Sequence, residues 1–251
     1  MRRISLSLFV ALSCLSMGSL WVSCAGKSVN QNDPASLYRD AEDEIKSDHY
    51  QVAIDKLREI KNRFPYSKYA VDAQLRIADV YFLQESYDEA AASYEAFRDL
   101  HPKHEKAPYA LFMAGKSHYS DIPSPIARDM TPAKKALDVL NEFLALYPNA
   151  KEATEARKYV EEVRNSLAEK ELYVGDFYYN RDFYASAKPR YENVVRTYPD
   201  TRAAKTAQEK LVSLEKMSKK AVNPKDGFSG YAPPPTDSSG LTPTGMPMNG
   251  Y

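Results

Sequence analysis

The stretch from residue 72 to residue 106 constrains the fold of this chain more than any other. It has the sequence DAQLRIADVYFLQESYDEAAASYEAFRDLHPKHEK. Apolar residues recur at helical spacing in two short runs, and Pro102 follows the second run, where a proline cannot continue a helix. The pattern predicts two short amphipathic helices, which the small Ala78 and Ala90 allow to approach closely. Such a hairpin buries only one face, so it needs a neighbour of the same kind.

Three further copies of the hairpin supply those neighbours. A shift of 37 residues toward the N-terminus, or of 97 toward the C-terminus, superposes small, large apolar and proline residues in the same order. Another copy carries nine extra residues between its helices. We call the contact between the two helices of a hairpin its seam. The first helix of each hairpin has a small residue at this seam, namely Ala41, Ala78, Gly115 and Gly175. This order is that of the tetratricopeptide (TPR) repeat, so we predict an all-α, TPR-like α-solenoid of four to five helical hairpins.

The repeat domain is predicted to span residues 35–220. Its repeats are placed at 35–69, 72–106, 109–152 and 153–203, with a capping helix at 204–220. Residues 151–180 contain no proline and are predicted to form one long helix.

Two of the repeats depart from the pattern. In the first, Asp40 and Glu44 fall where inward-facing apolar residues belong, which predicts a half-solvated helix. In the third, Pro123 and Pro125 prevent a regular helix in the segment before Thr131. Thr131 is predicted to cap the helix that follows. This inserted loop either projects from a working face or covers a helix end, and the sequence supports both alternatives.

The first 23 residues are predicted to be an export signal. Arg2 and Arg3 precede an apolar segment, and Cys24 follows Val22 and Ser23 in an arrangement that resembles a bacterial lipobox. Cleavage before Cys24 would leave that residue to carry a diacylglycerol and an N-acyl chain, and no other cofactor is predicted.

Other interpretations of this segment remain open. Cys14 is the competing acylation site, and Trp21 stands where leucine is usual in a lipobox. An ordinary cleaved signal peptide and an uncleaved membrane anchor are further alternatives. By resemblance to lipoprotein sorting, Ala25 after the cysteine favours the outer membrane.

The segments that flank the repeats have their own composition. Residues 24–34 form a small, polar tether behind the lipid. Residues 221–251 contain six prolines and five glycines, so this tail is predicted to be disordered.

Charge and motif content argue against catalysis and against nucleic-acid binding. The chain has 34 basic and 34 acidic residues, and removal of the signal leaves 32 basic against 34 acidic residues. It therefore lacks the excess of positive charge that is typical of nucleic-acid-binding proteins. It contains no GxSxG, no phosphate-binding glycine loop and no HExxH, and its four histidines are scattered. We therefore predict neither an enzyme nor a metal site.

The first helices of TPR hairpins line a concave groove, and helical geometry selects the residues that face it. Several are aromatic, which favours an apolar or aromatic-bearing peptide as ligand. The alternative is that these side chains pack between neighbouring repeats. The predicted peptide groove comprises Tyr38, Leu75, Asp79, Phe82, Tyr109, Phe112 and Tyr119, and the same geometry places Asp176 and Tyr179 in the fourth repeat, where we predict partner contact.

A lipoprotein signal followed by these repeats resembles the BamD family, the TPR lipoproteins of the β-barrel assembly (BAM) complex. The resemblance rests on stretches such as PYSKYAVDAQLRIADVYF, ARDMTPAKKAL and YPNAKEATEARKYVEEVRNSLAEKELYVGDFYYNRDFY, and covers about residues 34–215. It implies a periplasm-facing outer-membrane scaffold without enzymatic activity. The implied partners are the POTRA domains of a BamA-type barrel protein, other assembly lipoproteins, and the C-terminal signals of unfolded outer-membrane proteins, which the groove would bind. The family's insertase contact would fall on Arg190, and its loop region on Arg128 and Asp129.

The alternative is another periplasmic TPR adaptor of the cell envelope, one that coordinates peptidoglycan synthesis or outer-membrane constriction. Such adaptors usually carry a coiled coil before the repeats, and no heptad run precedes Ser36. An enzyme with a TPR-like shell would need a separate catalytic domain, for which the repeats leave no room.

Overall fold

The computed structural model describes residues 30–124, 126 and 128–221. The described residues form helices joined by short turns, without strands, and the prediction of an all-α, TPR-like solenoid is confirmed. The predicted signal, Cys24, Cys14 and the tail from residue 222 lie outside the described residues. In chain order the helices are α1 (Pro34–Lys46), α2 (Tyr50–Arg63), α3 (Lys68–Leu83), α4 (Tyr87–Leu100), α5 (Ala107–Ser120), α6 (Thr131–Leu146), α7 (Ala153–Tyr179), α8 (Tyr184–Thr197) and α9 (Arg202–Ala221).

Each helix packs against the next, and contacts also join α1 to α3, α5 to α7, and α7 to α9. The small seam residues allow this packing. Ala41 and Ala78 are fully buried. A Cβ on Gly115 would lie 2.7 Å from Leu140 Cδ2, and one on Gly175 would lie 2.6 Å from Tyr191 Cε1. The third and fourth hairpins are therefore packed more closely than an alanine at these positions permits.

Helix α7 is the long helix that the sequence predicts between residues 151 and 180. Its residues up to Leu167 include Val163 and Leu167 of the central hydrophobic cluster, which extends from α3 to α7. Ala168, which follows directly, belongs to the C-terminal cluster with α8 and α9. One continuous helix thus belongs to two parts of the core.

The first repeat pairs the acidic residues of α1 with a lysine of α2. The buried face of α1 is made by Leu37, Ala41 and Ile45. Asp40 and Glu44 lie beside that face, where Lys56 Nζ of α2 approaches their carboxylates at 2.5 and 2.7 Å. Both acids are partly exposed, and they share the single positive charge of Lys56.

The start of α6 also differs from its prediction. Thr131 is the first residue of the helix rather than its cap, and Pro132 lies in the first turn. Asp129 Oδ1 accepts hydrogen bonds from the backbone N–H of Thr131 at 3.1 Å and from its hydroxyl at 2.9 Å. The carboxylate of Asp129 therefore closes the end of the inserted loop onto α6.

The turns inside three hairpins contain a non-glycine residue in the left-handed region. These residues are Asp48, Glu85 and Asp182, with φ values of 58°, 60° and 63°. The carboxylates of Asp48 and Asp182 accept hydrogen bonds from Tyr50 and Tyr184 at 2.7 and 2.6 Å. Because Glu85 has no such bond among the described residues, it bears the cost of the left-handed backbone without local compensation.

Replacing Glu85 by glycine is expected to raise the free energy of unfolding by about 0.5–1 kcal/mol, since glycine adopts φ > 0 without a Cβ clash. Urea denaturation followed by circular dichroism measures the change. The matched variant Asp48→Gly should gain less, because it also loses the hydrogen bond from Tyr50. Equal gains in both variants would contradict this account.

Candidate partner-binding surfaces

An open depression of about 410 Å³ lies between α3, α5 and the turn before α7. Three of the predicted groove residues, Leu75, Asp79 and Tyr109, line it together. Its rim carries charges of both signs. The other lining residues are Glu105, Lys106, Pro108, Lys151 and Glu152.

Asp79 is the polar centre of this depression. Its Oδ1 accepts hydrogen bonds from the hydroxyls of Tyr94 at 2.7 Å and Tyr109 at 3.0 Å. Arg76 Nη1 lies 3.4 Å from Oδ2, and the same guanidinium makes two bonds to Glu42 of α1 at 2.6 and 2.8 Å. Polar contacts therefore run across the first helices of three repeats, and Asp79 is already engaged before any ligand binds.

The acid–base properties of these groups follow from the same contacts. Burial, reinforced by the charge of Asp79, raises the pKa of Tyr109 to about 12. Burial, together with the charge of Glu42, raises the pKa of Tyr38 to about 12. The hydrogen bonds that Arg76 donates to Glu42 raise the pKa of its guanidinium above the usual value. At neutral pH the hydroxyls of Tyr109 and Tyr38 are therefore protonated and can donate hydrogen bonds. Their charge does not change near neutral pH.

The predicted groove residues other than Asp79 and Tyr109 fall into two groups. Leu75 and Phe112 are buried, with 4% and 3% exposure, and contribute to the packing between repeats. Tyr38, Phe82 and Tyr119 are half-buried and contact other rings: Tyr38 lies 5.7 Å from Tyr69, Phe82 lies 5.4 Å from Tyr87, and Tyr119 lies 4.3 Å from Tyr159, centroid to centroid. Each of these three aromatic side chains is therefore only partly exposed.

Sequence reasoning missed a second depression, of about 530 Å³, between the inserted loop and α7. Tyr119 lines it and donates a hydrogen bond to Glu162. Glu162 and Glu169 give its α7 wall a negative charge. The insertion itself was the available signal, since it lengthens only this hairpin.

In the fourth repeat, Asp176 and Tyr179 both face the last helix. Asp176 Oδ1 accepts a hydrogen bond from the hydroxyl of Tyr191 at 2.7 Å and lies 3.6 Å from Lys210 Nζ. The same ammonium lies 4.5 Å from the ring centroid of Tyr179. Lys210 of α9 was missed because it belongs to the capping helix, outside the repeat pattern.

Two segments that the resemblance implies as partner contacts, Arg190 and the inserted loop, each contact α7. Arg190 Nη1 of α8 lies 3.3 Å from Glu171 Oε2, and its side chain is 40% exposed. The backbone carbonyl of Arg128, in the inserted loop, accepts a hydrogen bond from Lys170 Nζ at 3.1 Å. Lys170 and Glu171 are neighbours in sequence, so α7 holds both segments at adjacent positions.

Within the described ranges, His, Cys, Asp and Glu form no group of three that could hold a metal ion. Across the same part of the chain, no helix combines the length and apolar character that crossing a bilayer requires.

Comparison with known proteins identifies the family to which this helical array belongs. The YfiO family, described as "Outer membrane lipoprotein", matches residues 30–225, which include every helix above. The chain belongs to the YfiO family.

Similar proteins include the outer membrane protein assembly factor BamD of Vibrio cholerae, which is 30% identical across 80% of this chain and 88% of its own length. The BamD proteins of Neisseria gonorrhoeae and Caulobacter vibrioides are 28% and 26% identical, covering 85% and 81% of this chain and 85% and 68% of their own lengths. The resemblance to the BamD family is confirmed.

Proposed function

We propose that this YfiO-family protein is a non-enzymatic lipoprotein scaffold of the outer membrane, serving the assembly of β-barrel proteins from the periplasmic side. The observation that carries the proposal is the extent of the similarity. The Vibrio cholerae and Neisseria gonorrhoeae proteins, both named outer membrane protein assembly factor BamD, match 80% and 85% of this chain. The likeness therefore spans the whole helical array and not a single generic repeat.

Cys24 is the proposed attachment site of the lipid, as a diacylglycerol with an additional N-acyl chain. Several acyl chains anchor a protein far more firmly than one, so the array would stay at the membrane surface without a spanning helix. The described chain begins at Asn30, a few residues beyond this cysteine.

The C-terminal repeats are the proposed binding site for the POTRA domains of a BamA-type barrel protein. Arg190 is partly exposed, and its Nη1 lies 3.3 Å from Glu171 Oε2. The other donors of its guanidinium are available for a partner's carboxylate. The exposed Arg128 and Asp129 lie in the inserted loop, which Lys170 ties to the same helix. Asp176 and Tyr179 support the surface from the α9 side through Lys210. Other assembly lipoproteins are proposed as further partners.

The first depression is the proposed site for the C-terminal signals of unfolded outer-membrane proteins. Tyr109 and Pro108 offer apolar surface there, while Glu105, Lys106 and Lys151 offer polar contacts to an extended chain. Asp79 fixes the hydroxyl of Tyr109, so this ring is held in place before a peptide arrives.

Affinity capture from detergent-solubilised envelopes tests the scaffold role. The wild-type protein is expected to retain a POTRA-containing barrel protein, and Arg190→Glu to lose most of it, because the variant places a carboxylate against the partner and against Glu171. Arg196→Glu, at an exposed position on the same helix, is the matched control and should capture normally.

The charge swap Arg190→Glu with Glu171→Arg separates contact from stability. It restores an internal ion pair but reverses the charge offered to a partner, so capture should remain low. Recovery of capture in the swap would show that Arg190 acts only within the fold. Capture of cell-wall enzymes without any barrel protein would overturn the proposed function itself.

A further inference from the structure

The turn between α2 and α3 differs in chemistry from the equivalent turns of the other repeats. We call residues 61–69, with the sequence KNRFPYSKY, the basic aromatic turn. Residues 60–71 contain Lys61, Arg63 and Lys68 and no acidic residue. In a chain of zero net charge, this is a local concentration of positive charge.

Tyr66 is the most exposed large side chain of this turn. Its relative exposure is 102%, so the ring contacts almost nothing in the protein. Phe64 and Tyr69, by contrast, pack against the hydrophobic cluster formed by α1, α2 and α3. The residues that follow the proline in the other three turns are polar, namely Lys103, Asn149 and Asp200.

This turn lies where the chain enters the fold. Arg63 Nη2 donates a hydrogen bond to Asn32 Oδ1 at 3.2 Å, and the ring of Tyr38 in α1 lies 5.7 Å from that of Tyr69. Cys24 precedes Asn32 by eight residues. An extended chain of that length spans at most about 28 Å, so a lipid on Cys24 would hold this turn within that distance of the bilayer.

The charges of the turn are largely free to meet an anionic surface. Lys61 and Lys68 are exposed and have no carboxylate partner among the described residues. Lys68 Nζ lies 5.2 Å from the ring centroid of Tyr69. Arg63 is shared with Glu59 and with Asn32, so it contributes less.

We propose that the basic aromatic turn is a membrane-contact surface, with Tyr66 inserted among the headgroups of anionic phospholipids and Lys61 and Lys68 beside them. Tyrosine favours this depth because its ring is apolar and its hydroxyl is polar, and lysines are attracted to anionic lipid. The contact is too small to attach a protein by itself. A lipid anchor close by removes that difficulty, because it keeps the local concentration of membrane high.

This inference rests on the acylation of Cys24 that is part of the proposed function. Its consequence is an orientation: the edge of the first repeat that carries the α2–α3 turn faces the bilayer, and the later repeats extend away from it. The occupant of the surface is the lipid itself rather than a protein partner.

A single-tryptophan experiment tests the contact in the full, acylated chain. Trp21 is the only tryptophan and lies in the segment predicted to be removed, so the mature protein should have no tryptophan fluorescence. The variants Tyr66→Trp and Asn149→Trp, which occupy equivalent turn positions, are reconstituted into vesicles of phosphatidylethanolamine and phosphatidylglycerol with brominated acyl chains. We expect a blue shift and several-fold stronger bromine quenching for Tyr66→Trp than for Asn149→Trp.

Two further measurements make the outcomes separable. Adding Lys61→Glu and Lys68→Glu to Tyr66→Trp should lower the quenching to the level of the Asn149→Trp control, since neither lysine has an ion pair with any residue that the structure describes. Flotation of the vesicles reports the anchor independently of the turn. Protein that floats but shows equal quenching at both positions overturns this inference alone. Protein that does not float overturns the acylation of Cys24, and this inference with it.

Discussion

Replacing Asp79 by alanine is expected to lower the free energy of unfolding by about 2–4 kcal/mol. The variant removes the acceptor of two tyrosine hydroxyls, and Tyr94 is fully buried, so its O–H cannot turn to water. An unpaired buried donor costs about 1–3 kcal/mol, and Arg76 loses a carboxylate as well. Urea denaturation of the purified protein measures the effect.

Two companion variants separate the hydrogen bonds from the packing. Asp79→Asn keeps an acceptor oxygen and should lose clearly less stability than the alanine variant. Tyr94→Phe in the Asp79→Ala background should recover part of the loss, because removing both partners of a buried bond is cheaper than removing one. A loss below about 0.5 kcal/mol in Asp79→Ala would contradict the structural role of this carboxylate.

Replacing Gly175 by valine is expected to lower the free energy of unfolding by about 3 kcal/mol, at the upper end of the cost of overpacking a core. The added Cβ would meet the ring of Tyr191 at 2.6 Å. That ring cannot move freely, because it is fully buried and its hydroxyl bonds to Asp176 at 2.7 Å. Gly175→Ala should lose less, since alanine recovers about 1 kcal/mol of helix propensity.

The control for this prediction is Glu169→Val in the same helix. Glu169 is exposed, so the substitution reports the helix propensity of valine without a steric clash. We expect a change of about 0.5 kcal/mol or less, measured by the same denaturation. Similar losses at positions 169 and 175 would mean that the close approach of α7 and α8 does not limit the residue at the seam.

The features that the sequence predicted well depend on local periodicity. The small seam residues, the prolines after the second helices and the long α7 each follow from spacing within one or two helices. Ala78 and Gly175 were identified because a close helix crossing requires a small residue whatever the distant surroundings. The hairpin pattern was therefore sufficient to predict the fold.

The polar contacts depend instead on how the helices stack, and the sequence could not predict them. Asp79 was predicted to face a peptide, but it binds Tyr94 across its own hairpin and Tyr109 of the next repeat. Lys56 was missed because its contact crosses from α2 to α1, and Lys210 because it lies in the capping helix. Leu75 and Phe112 are almost fully buried, and periodicity alone does not distinguish a residue that packs between repeats from one that faces a groove.

The two parts of the core that share α7 cannot bend relative to one another at a joint, because no turn interrupts that helix. Its 27 residues form a strut of about 40 Å at the usual rise per residue. Arg190 contacts this helix through Glu171, and the inserted loop contacts it through Lys170. Because α7 runs through both parts of the core, the C-terminal half of the molecule is expected to move as one body around this helix rather than to flex between repeats.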